Sequence, residues 1–211
     1  TGPLDRGAVL AAVLTAVCRA WLPTAPAFGF DAPGVSNGKT LMCETIATLA
    51  GSWTKESPLP TKDDDEVRKV LLTRLREAND CVIFDNQMGV LDSAVFAAVL
   101  TSETFSGPIL GTNTSLTAPT AILFLLSGNN LTMAGDMPRR VVPARIDAEQ
   151  EFPQNRVFDF DPRALTRHTR GQMIAAALVL IGAVQGQREP GRIGSFERWD
   201  EVVGQTVAWV G

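Results

Sequence analysis

The chain has little histidine, little cysteine and no long hydrophobic run. The single histidine, His168, favours a surface or packing role over a catalytic one. Cys18, Cys43 and Cys81 lie in apolar contexts and are odd in number, so we expect buried free thiols and a reducing, cytoplasmic setting. The apolar stretch AAALVLIGAV at 175–184 is about half of the roughly 18 residues that a membrane span needs, so no membrane partner is expected.

An excess of positive charge is also absent. The 19 Lys and Arg against 23 Asp and Glu give a net charge of −4 and a pI near 5.1. This balance argues against a non-specific nucleic-acid binder coated in positive charge, although it permits a local basic groove. The 211 residues, 45% hydrophobic, suffice for one sizeable core with a small appended subdomain. Because the sequence starts without methionine in a helical pattern, we expect flanking domains of a longer chain.

Strand and helix patterns alternate along the first part of the chain, which predicts a three-layer α/β fold with a mainly parallel central sheet. Pro143 places the last predicted strand at an edge or strand end. The predicted strands are 28–32, 81–85, 121–128 and 140–147, and the predicted helices are 5–21, 39–51, 63–78 and 91–102. The segment 105–120, rich in Gly, Pro, Thr and Asn, can form a hairpin.

The pattern changes at Pro162 to a long helix, a polar break (REPGRIG) and a final helix. These features predict a small C-terminal helical lid at 161–211, beside a larger α/β core at 1–160. We expect Trp199 and Trp209 to be buried on the lid's apolar face.

A phosphate-binding loop is predicted where the first strand meets the following helix, in FGFDAPGVSNGKTLMCETIATLAG at 28–51. Glycines let backbone amides approach phosphate oxygens, the helix N-terminus adds a favourable dipole, and lysine adds a mobile charge. Lys39 is expected to contact the β- and γ-phosphates of ATP, and Thr40 to coordinate Mg²⁺. The predicted nucleotide-binding residues are Pro33, Gly34, Val35, Ser36, Asn37, Gly38, Lys39, Thr40 and Leu41. The alternative is a plain strand–turn–helix connection.

Polar residues follow the later strands where a nucleotide hydrolase needs them. Asp85 ends CVIFD and is a candidate metal ligand, with a turn or helix cap as the alternative. The next residue is Asn86, whose amide can orient water but cannot accept its proton. Asn129, and less directly Asn130, can reach the γ-phosphate and the attacking water, although Gly-Asn-Asn also favours a turn.

Arg139 and Arg140 precede the last predicted strand. An arginine projecting here can enter a neighbouring subunit's site and stabilise the charge of phosphoryl transfer, and solvated surface arginines are the alternative. Arg167 and Arg170 begin the lid helix, where they can sense nucleotide from above or be solvated charges.

The order of these motifs, from the phosphate loop through DN, SGNN and GDMPRR to the ending GSFERWDEVV, resembles the AAA+/superfamily 3-like P-loop helicase domains of phage, plasmid and mobile-element replication proteins. The resemblance spans nearly the whole chain. It implies an AAA+-like P-loop ATPase that uses ATP and Mg²⁺, works as a homo-oligomeric ring for which a hexamer is one candidate size, and moves along single-stranded DNA. It implies that Asn129 is the sensor residue that contacts the γ-phosphate. It also implies that Arg139 or Arg140 is an arginine finger in trans, which enters the ATP site of the neighbouring subunit.

The chain departs from the family pattern in two places. Pro33 stands where the phosphate loop has its first glycine, and the hairpin segment 105–120 contains no lysine or arginine, although such helicases usually grip DNA through a basic hairpin residue. Two other functions stay open. One is a nucleotide-dependent assembly switch with little hydrolysis, because Asn86 stands where a glutamate is common. The other, less favoured, is a small-molecule kinase with lid arginines.

Overall fold

Strands and helices alternate through the first two thirds of the chain. The computed structural model describes residues 2–34, 37–60, 63–108, 115–147 and 159–211. The strands are β1 (Ala27–Ala32), β2 (Trp53–Glu56), β3 (Cys81–Gln87), β4 (Val90–Leu91), β5 (Thr104–Pro108), β6 (Ser115–Pro119), β7 (Leu123–Asn129), β8 (Thr132–Met133) and β9 (Val141–Arg145). The helices are α1 (Pro3–Cys18), α2 (Lys39–Ala50), α3 (Asp64–Glu77), α4 (Ala94–Leu100), α5 (Pro162–Ala183), α6 (Glu197–Trp199) and α7 (Gln205–Val210).

The central sheet has five strands in the order β2-β3-β7-β1-β9, and each adjacent pair is parallel. The inner strands β3, β7 and β1 are almost entirely buried, as apolar strands covered on both faces should be. The strand β9 lies at an edge, which confirms the position predicted from Pro143. The four-residue edge strand β2 was not predicted, because WTKE carries no apolar alternation.

Helices cover both faces of this sheet, which makes three layers. On one face, Phe84 of β3 and Phe124 of β7 stack in parallel, and Phe96 of α4 packs edge-on against both. On the other face, Phe28 of β1 contacts Trp199 of α6, at 6.4 Å between ring centroids. Successive strand residues point to opposite faces, so apolar runs such as CVIF and LFLL bury both sides of a strand. The predicted α/β class with a parallel central sheet is confirmed.

The helices begin and end where local chemistry favours it. The Asp63 carboxylate accepts the N–H groups of Asp65 and Glu66, at 2.9 and 3.3 Å, and caps α3. The helix α2 ends at Gly51, whose φ of +141° strongly favours glycine. Pro3 and Pro162 occupy the first positions of α1 and α5, where a missing N–H costs nothing.

The predicted hairpin forms from β5 and β6, which pair antiparallel. Residues 109–114 of the predicted segment lie outside the described part of the chain. The guanidinium of Arg68 in α3 lies 5.4 Å from the centre of the Phe105 ring. At the hairpin's base, buried Arg19 donates to the carbonyls of Thr120 (2.6 Å) and Ile122 (3.1 Å), and burial lowers its pKa to about 10. A cation therefore supports the hairpin from the core side.

The C-terminal helices pack against α1 and α2. Arg170 of α5 donates to the carbonyls of Leu49 (2.9 Å) and Ala50 (2.8 Å), which caps the end of α2. Trp199 is buried and its indole N–H donates to Thr15, at 2.9 Å. Trp209, in contrast, is 53% exposed, so its predicted burial is wrong. The helical character of the lid is confirmed, whereas the division at residue 160 stays a prediction.

The cysteines and the lengths of the apolar helices can be compared with the sequence predictions. Cys18, Cys43 and Cys81 are free and buried, as predicted. Throughout the described ranges, no helix is both long enough and apolar enough to cross a membrane.

Candidate nucleotide site

The candidate site lies at the carboxyl edge of the central sheet, where β1, β3 and β7 end side by side. Asp31 of β1 pairs in register with Gly128 of β7, and Ala32 pairs with Asn129. The loop after β1, the end of β3 and the end of β7 are therefore neighbours. Parallel strands align their carboxyl ends, so residues more than 40 positions apart in sequence meet here.

The predicted phosphate loop joins β1 to α2. Gly38 is the N-cap of α2, with a φ of +88°, a conformation that L residues with a side chain rarely adopt. Because glycine has no side chain, it cannot cap the first amide N–H groups of the helix, and these groups attract anions. A β-carbon added at Gly34 would meet its nearest atom at 3.8 Å, so this position does not demand glycine. The predicted residues Val35 and Ser36 lie outside the described residues.

Lys39 turns inward to the end of β7. Its ammonium donates to the carbonyl of Gly34 (2.9 Å) and to Oδ1 of Asn129 (2.7 Å). The residue is only 8% exposed. Burial lowers the pKa of Lys39, and the nearby carboxylates of Asp31 and Asp85 partly oppose that shift. An ammonium has three N–H donors, so these two bonds leave one for a ligand.

Thr40 and Asp85 meet as the sequence predicts. The Thr40 hydroxyl donates to Oδ1 of Asp85, at 2.8 Å. The buried hydroxyl of Ser127, two residues before Asn129, donates to the same oxygen. Ser127 was not among the predicted site residues, although a hydroxyl directly after the apolar run LFLL was a usable signal.

A β-bulge in β3 lies at Asp85 and Asn86. Phe84 pairs with Leu126 and Gln87 with Gly128, so two residues of β3 oppose Ser127 alone. Asn86 takes a φ of +57°, and its backbone N–H donates to the Ser127 hydroxyl at 3.1 Å. Bulges commonly re-aim side chains beside active sites, and this one turns Asp85 towards Thr40.

The buried residue Gln87 closes the bulge. Its amide accepts the N–H of Leu59 (2.9 Å) and donates to the Leu59 carbonyl (3.1 Å), so it pairs like a backbone unit. Its own carbonyl packs so closely on Gly128 that a β-carbon there would lie 2.9 Å away. The segment after β2 is therefore tied to the strand that carries Asp85.

The two asparagines after β7 differ in their contacts. Asn129 binds Lys39, whereas Asn130 is exposed, has a φ of +54°, and donates its backbone N–H to the Ala32 carbonyl at 3.4 Å. The Asp31 carboxylate accepts the N–H of Leu131 at 2.8 Å and fixes this turn. Asn129 is therefore the polar side chain of the pair that reaches the loop.

Arg139 and Arg140 lie at the opposite, amino edge of the sheet. The Arg140 carbonyl accepts the N–H of Ala27, the first residue of β1, whereas the phosphate loop follows the last residue of that strand. The six residues of β1 separate the two places by about 17 Å. Both arginines contact Asp136, and the side chains of Arg139 and Arg140 are 75% and 17% exposed. Neither arginine reaches the loop of its own chain.

Arginines of the lid helix α5 bind α2 at Glu44 and at its C-terminal end. Arg163 of α5 (2.8 Å) and Lys55 of β2 (2.7 Å) both bind the nearly buried carboxylate of Glu44. Burial raises the pKa of Glu44, but hydrogen bonds from these two cations outweigh it, so the pKa lies below the ordinary value. Because Arg170 caps the far end of α2, its suggested role as a nucleotide sensor is not supported by this arrangement. Arg167 is exposed.

The residues of the site suit a metal ion shared with phosphate rather than one held by protein alone. Among the described residues, no three His, Cys, Asp or Glu side chains cluster closely enough to hold a metal ion. Mg²⁺ usually takes one or two protein oxygens and completes its shell with water and phosphate. The Thr40 hydroxyl and Asp85 carboxylate fit this donor set, and Oδ2 of Asp85 has no protein donor within the described ranges.

Comparison with known proteins gives a weak likeness to solved helicase structures. No family model and no curated protein matches the chain. Three crystal structures of JCV helicase align over 98–99% of this chain and 59–60% of theirs, with 10–12% identity and TM-scores of 0.42–0.45. Two of the three contain a bound compound. The chain thus spans about three fifths of the length of these helicase chains, and at TM-scores below 0.5 function must be argued from this chain's own residues.

Proposed function

We propose that the protein is an ATP-binding and ATP-hydrolysing motor domain that works in a homo-oligomeric ring on single-stranded DNA, as a DNA helicase or a helicase-like replication protein. The observation that supports it most is the convergence of Lys39, Thr40, Asp85 and Asn129 at one edge of the sheet. These residues come from three separate segments and meet around a loop that opens a helix, the arrangement expected of a phosphate site.

In this proposal each side chain has a defined role. Lys39 and the first amides of α2 hold the β- and γ-phosphates, and Thr40 with Asp85 holds Mg²⁺. The bound ion would neutralise phosphate charge during transfer. Asn129 orients the attacking water and keeps Lys39 in place through their hydrogen bond. Asn86 can orient water but cannot take its proton, so slow turnover per site is expected.

The arginine that completes the site comes from a neighbouring subunit. Arg139 is the better candidate, because its side chain is 75% exposed and its ion pair with Asp136 is of the weak surface kind. Arg140 is only 17% exposed. A finger in trans makes hydrolysis depend on assembly, which is why we propose a ring, with a hexamer as one candidate size.

The deciding experiment measures Mg²⁺-dependent ATP turnover by the purified chain across protein concentration, with and without single-stranded DNA. Turnover per subunit should rise with concentration and DNA, and it should vanish in Lys39→Ala. Lys69→Ala is the matched control, since Lys69 is exposed and the described contact of its ammonium is with Glu66 on its own helix. Turnover in Lys39→Ala equal to wild type would overturn the proposal.

A nucleotide-dependent assembly switch is the second candidate, favoured by Asn86 at the position next to Asp85. It predicts tight Mg-ATP binding and ATP-driven assembly with turnover near zero, even where assembly is complete. The kinase reading is weaker, because Arg163 and Arg170 are held by Glu44 and by the end of α2. Phosphate transfer to a small acceptor without assembly or DNA would favour it.

A further inference from the structure

Ser127 lies where β7 faces β3, the strand that carries Asp85 and Asn86. It lies on β7, opposite the bulge of β3, and its side chain is 1% exposed. Its hydroxyl donates to Oδ1 of Asp85 and accepts the backbone N–H of Asn86, at 3.1 Å for the second bond. One small side chain therefore contacts both residues of the DN motif.

These bonds limit how the Asp85 carboxylate can turn. Its Oδ1 receives two hydroxyl donors from different elements, Thr40 of α2 and Ser127 of β7. Rotation of the carboxylate would break at least one of these charge-assisted bonds. Oδ2 is left without a protein donor in the described part of the chain, so the two hydroxyls present one free oxygen to a cation.

The same hydroxyl stabilises the bulge. Asn86 has a φ of +57°, which residues other than glycine adopt at some energetic cost. Its backbone N–H would lose its acceptor if the Ser127 hydroxyl were removed. Lys39 and the phosphate loop make no hydrogen bond to Ser127 among the described residues. In the described part of the chain, the hydrogen bonds of the Ser127 hydroxyl are therefore with Asp85 and Asn86.

We infer that Ser127 is a positioning residue that orients Asp85 and Asn86 for the divalent cation, so that it governs the affinity for Mg²⁺ and not the metal-free affinity for nucleotide phosphates. This inference rests on the proposed nucleotide function. Partners that orient metal ligands typically change metal affinity by about 10- to 100-fold when they are removed.

The test compares Ser127→Ala with Ser127→Thr, which keeps the hydroxyl. Ser106→Ala is the matched control, because Ser106 is a strand serine whose hydroxyl bonds Thr117, at 2.7 Å, on the hairpin. Two titrations are made with a fluorescent ATP analogue. The first measures its affinity in EDTA, and the second measures its binding at a fixed nucleotide concentration as Mg²⁺ is increased. Thermal melting shows whether each variant is folded.

Ser127→Ala should raise the Mg²⁺ concentration for half-maximal binding by about tenfold, with affinity in EDTA changed less than about twofold. Ser127→Thr and Ser106→Ala should stay within about threefold of wild type. An unchanged Mg²⁺ requirement in Ser127→Ala, or an equal loss of nucleotide affinity in EDTA, overturns the inference about Ser127 without contradicting the proposed nucleotide binding by the wild-type chain.

Two further outcomes are decisive. If Ser127→Ala does not fold, Ser127→Cys replaces it, since a thiol of similar size is a weak donor and should shift the Mg²⁺ requirement in the same direction. Wild-type requirements in Ser127→Cys would then contradict the inference. If the wild-type chain binds no nucleotide in either buffer, the proposed function fails first and the role of Ser127 fails with it.

Discussion

The two edges of the central sheet differ in how their polar groups are held. At the carboxyl edge, the side chains of Lys39, Thr40, Asp85, Ser127 and Asn129 bind one another across three segments of the chain. At the amino edge, the described side-chain contacts of Arg139 and Arg140 are with Asp136, whose carboxylate pairs with both and whose carbonyl accepts a bond from Arg140. One edge is pre-organised, whereas the other offers exposed charge with weak local partners.

This difference fits a catalytic centre divided between subunits. Groups that hold a ligand benefit from rigid placement, because a preformed site loses less entropy on binding. A group that must enter a neighbour's site has to be exposed before assembly. In the proposed ring, the amino edge of one subunit would meet the carboxyl edge of the next. Two experiments on the arginines test that relation, and three more test Asn129, the bulge and the contact of the lid with α2.

The largest expected effect comes from the amino edge. Replacing both arginines, Arg139→Ala with Arg140→Ala, should lower turnover about 10³-fold while nucleotide affinity changes less than about twofold, because the finger acts on transition-state charge. Single variants identify which arginine acts. Arg192→Ala is the control, since Arg192 is 79% exposed and pairs with Glu189 in the same i,i+3 manner.

Mixing the double arginine variant with Lys39→Ala gives a sharper test of the same arginines. The double arginine variant has an intact loop, and Lys39→Ala has intact arginines. Mixed assemblies should regain turnover at sites where these two subunits meet in the right order. No recovery in assemblies that demonstrably contain both variants would contradict a finger in trans.

Asn129 should matter more than Asn130. Asn129→Ala removes the acceptor that holds Lys39 and the amide that positions water, so turnover should fall about 10²-fold. Asn130→Gly is the matched control, because glycine accepts the φ of +54° at that position. Steady-state turnover at saturating ATP provides the measurement. A larger loss in Asn130→Gly would move the sensor role to Asn130.

The bulge at the carboxyl edge should be sensitive to one added carbon. Gly128→Ala would place a β-carbon 2.9 Å from the backbone carbonyl oxygen of Gln87 and 3.4 Å from the side chain of Leu131. We expect the free energy of unfolding to fall by about 1–3 kcal/mol in urea titrations. Gly171→Ala, in helix α5 with no atom within 4 Å of its β-carbon, should instead raise it by about 0.5–1 kcal/mol. Equal effects would contradict the close approach.

The smallest expected effect concerns Glu44, which joins the lid to α2. Its folded-state pKa lies below the ordinary 4.5, so its contribution to stability is present above about pH 4.5 and is lost as pH falls through the lower folded value. Glu44→Gln should lower the free energy of unfolding by about 1 kcal/mol at pH 7, since Lys55 and Arg163 are partly exposed.

That deficit should shrink as pH falls towards 3.5, measured by urea unfolding at several pH values. The control is Glu66→Gln, because Glu66 forms an exposed pair with Lys69 on the same helix. A deficit in Glu44→Gln that does not change with pH would show that packing, rather than charge, holds the lid to α2.

Local patterns predicted most of the regular structure. The apolar strands β1, β3 and β7 and the helices α2, α3 and α5 carry their own periodicity and end signals, such as Gly51 and Pro162. Short elements escaped prediction, because β4 and β8 contain two residues each. Trp209 was placed wrongly, because the π-helical turn Asp200–Gly204 changes the residues per turn and rotates the last segment.

The sequence by itself determined the order of strand, phosphate loop and helix, the parallel class of the sheet, and the residue types at the strand ends, because these depend on neighbours within a few positions. Tertiary structure alone decided that Ser127 shares an oxygen of Asp85 with Thr40, that a bulge turns Asp85 towards Thr40, and that the arginines lie at the opposite edge of the sheet from their own loop. These relations depend on register between strands far apart in sequence, and register follows from the packing of both sheet faces rather than from any local pattern.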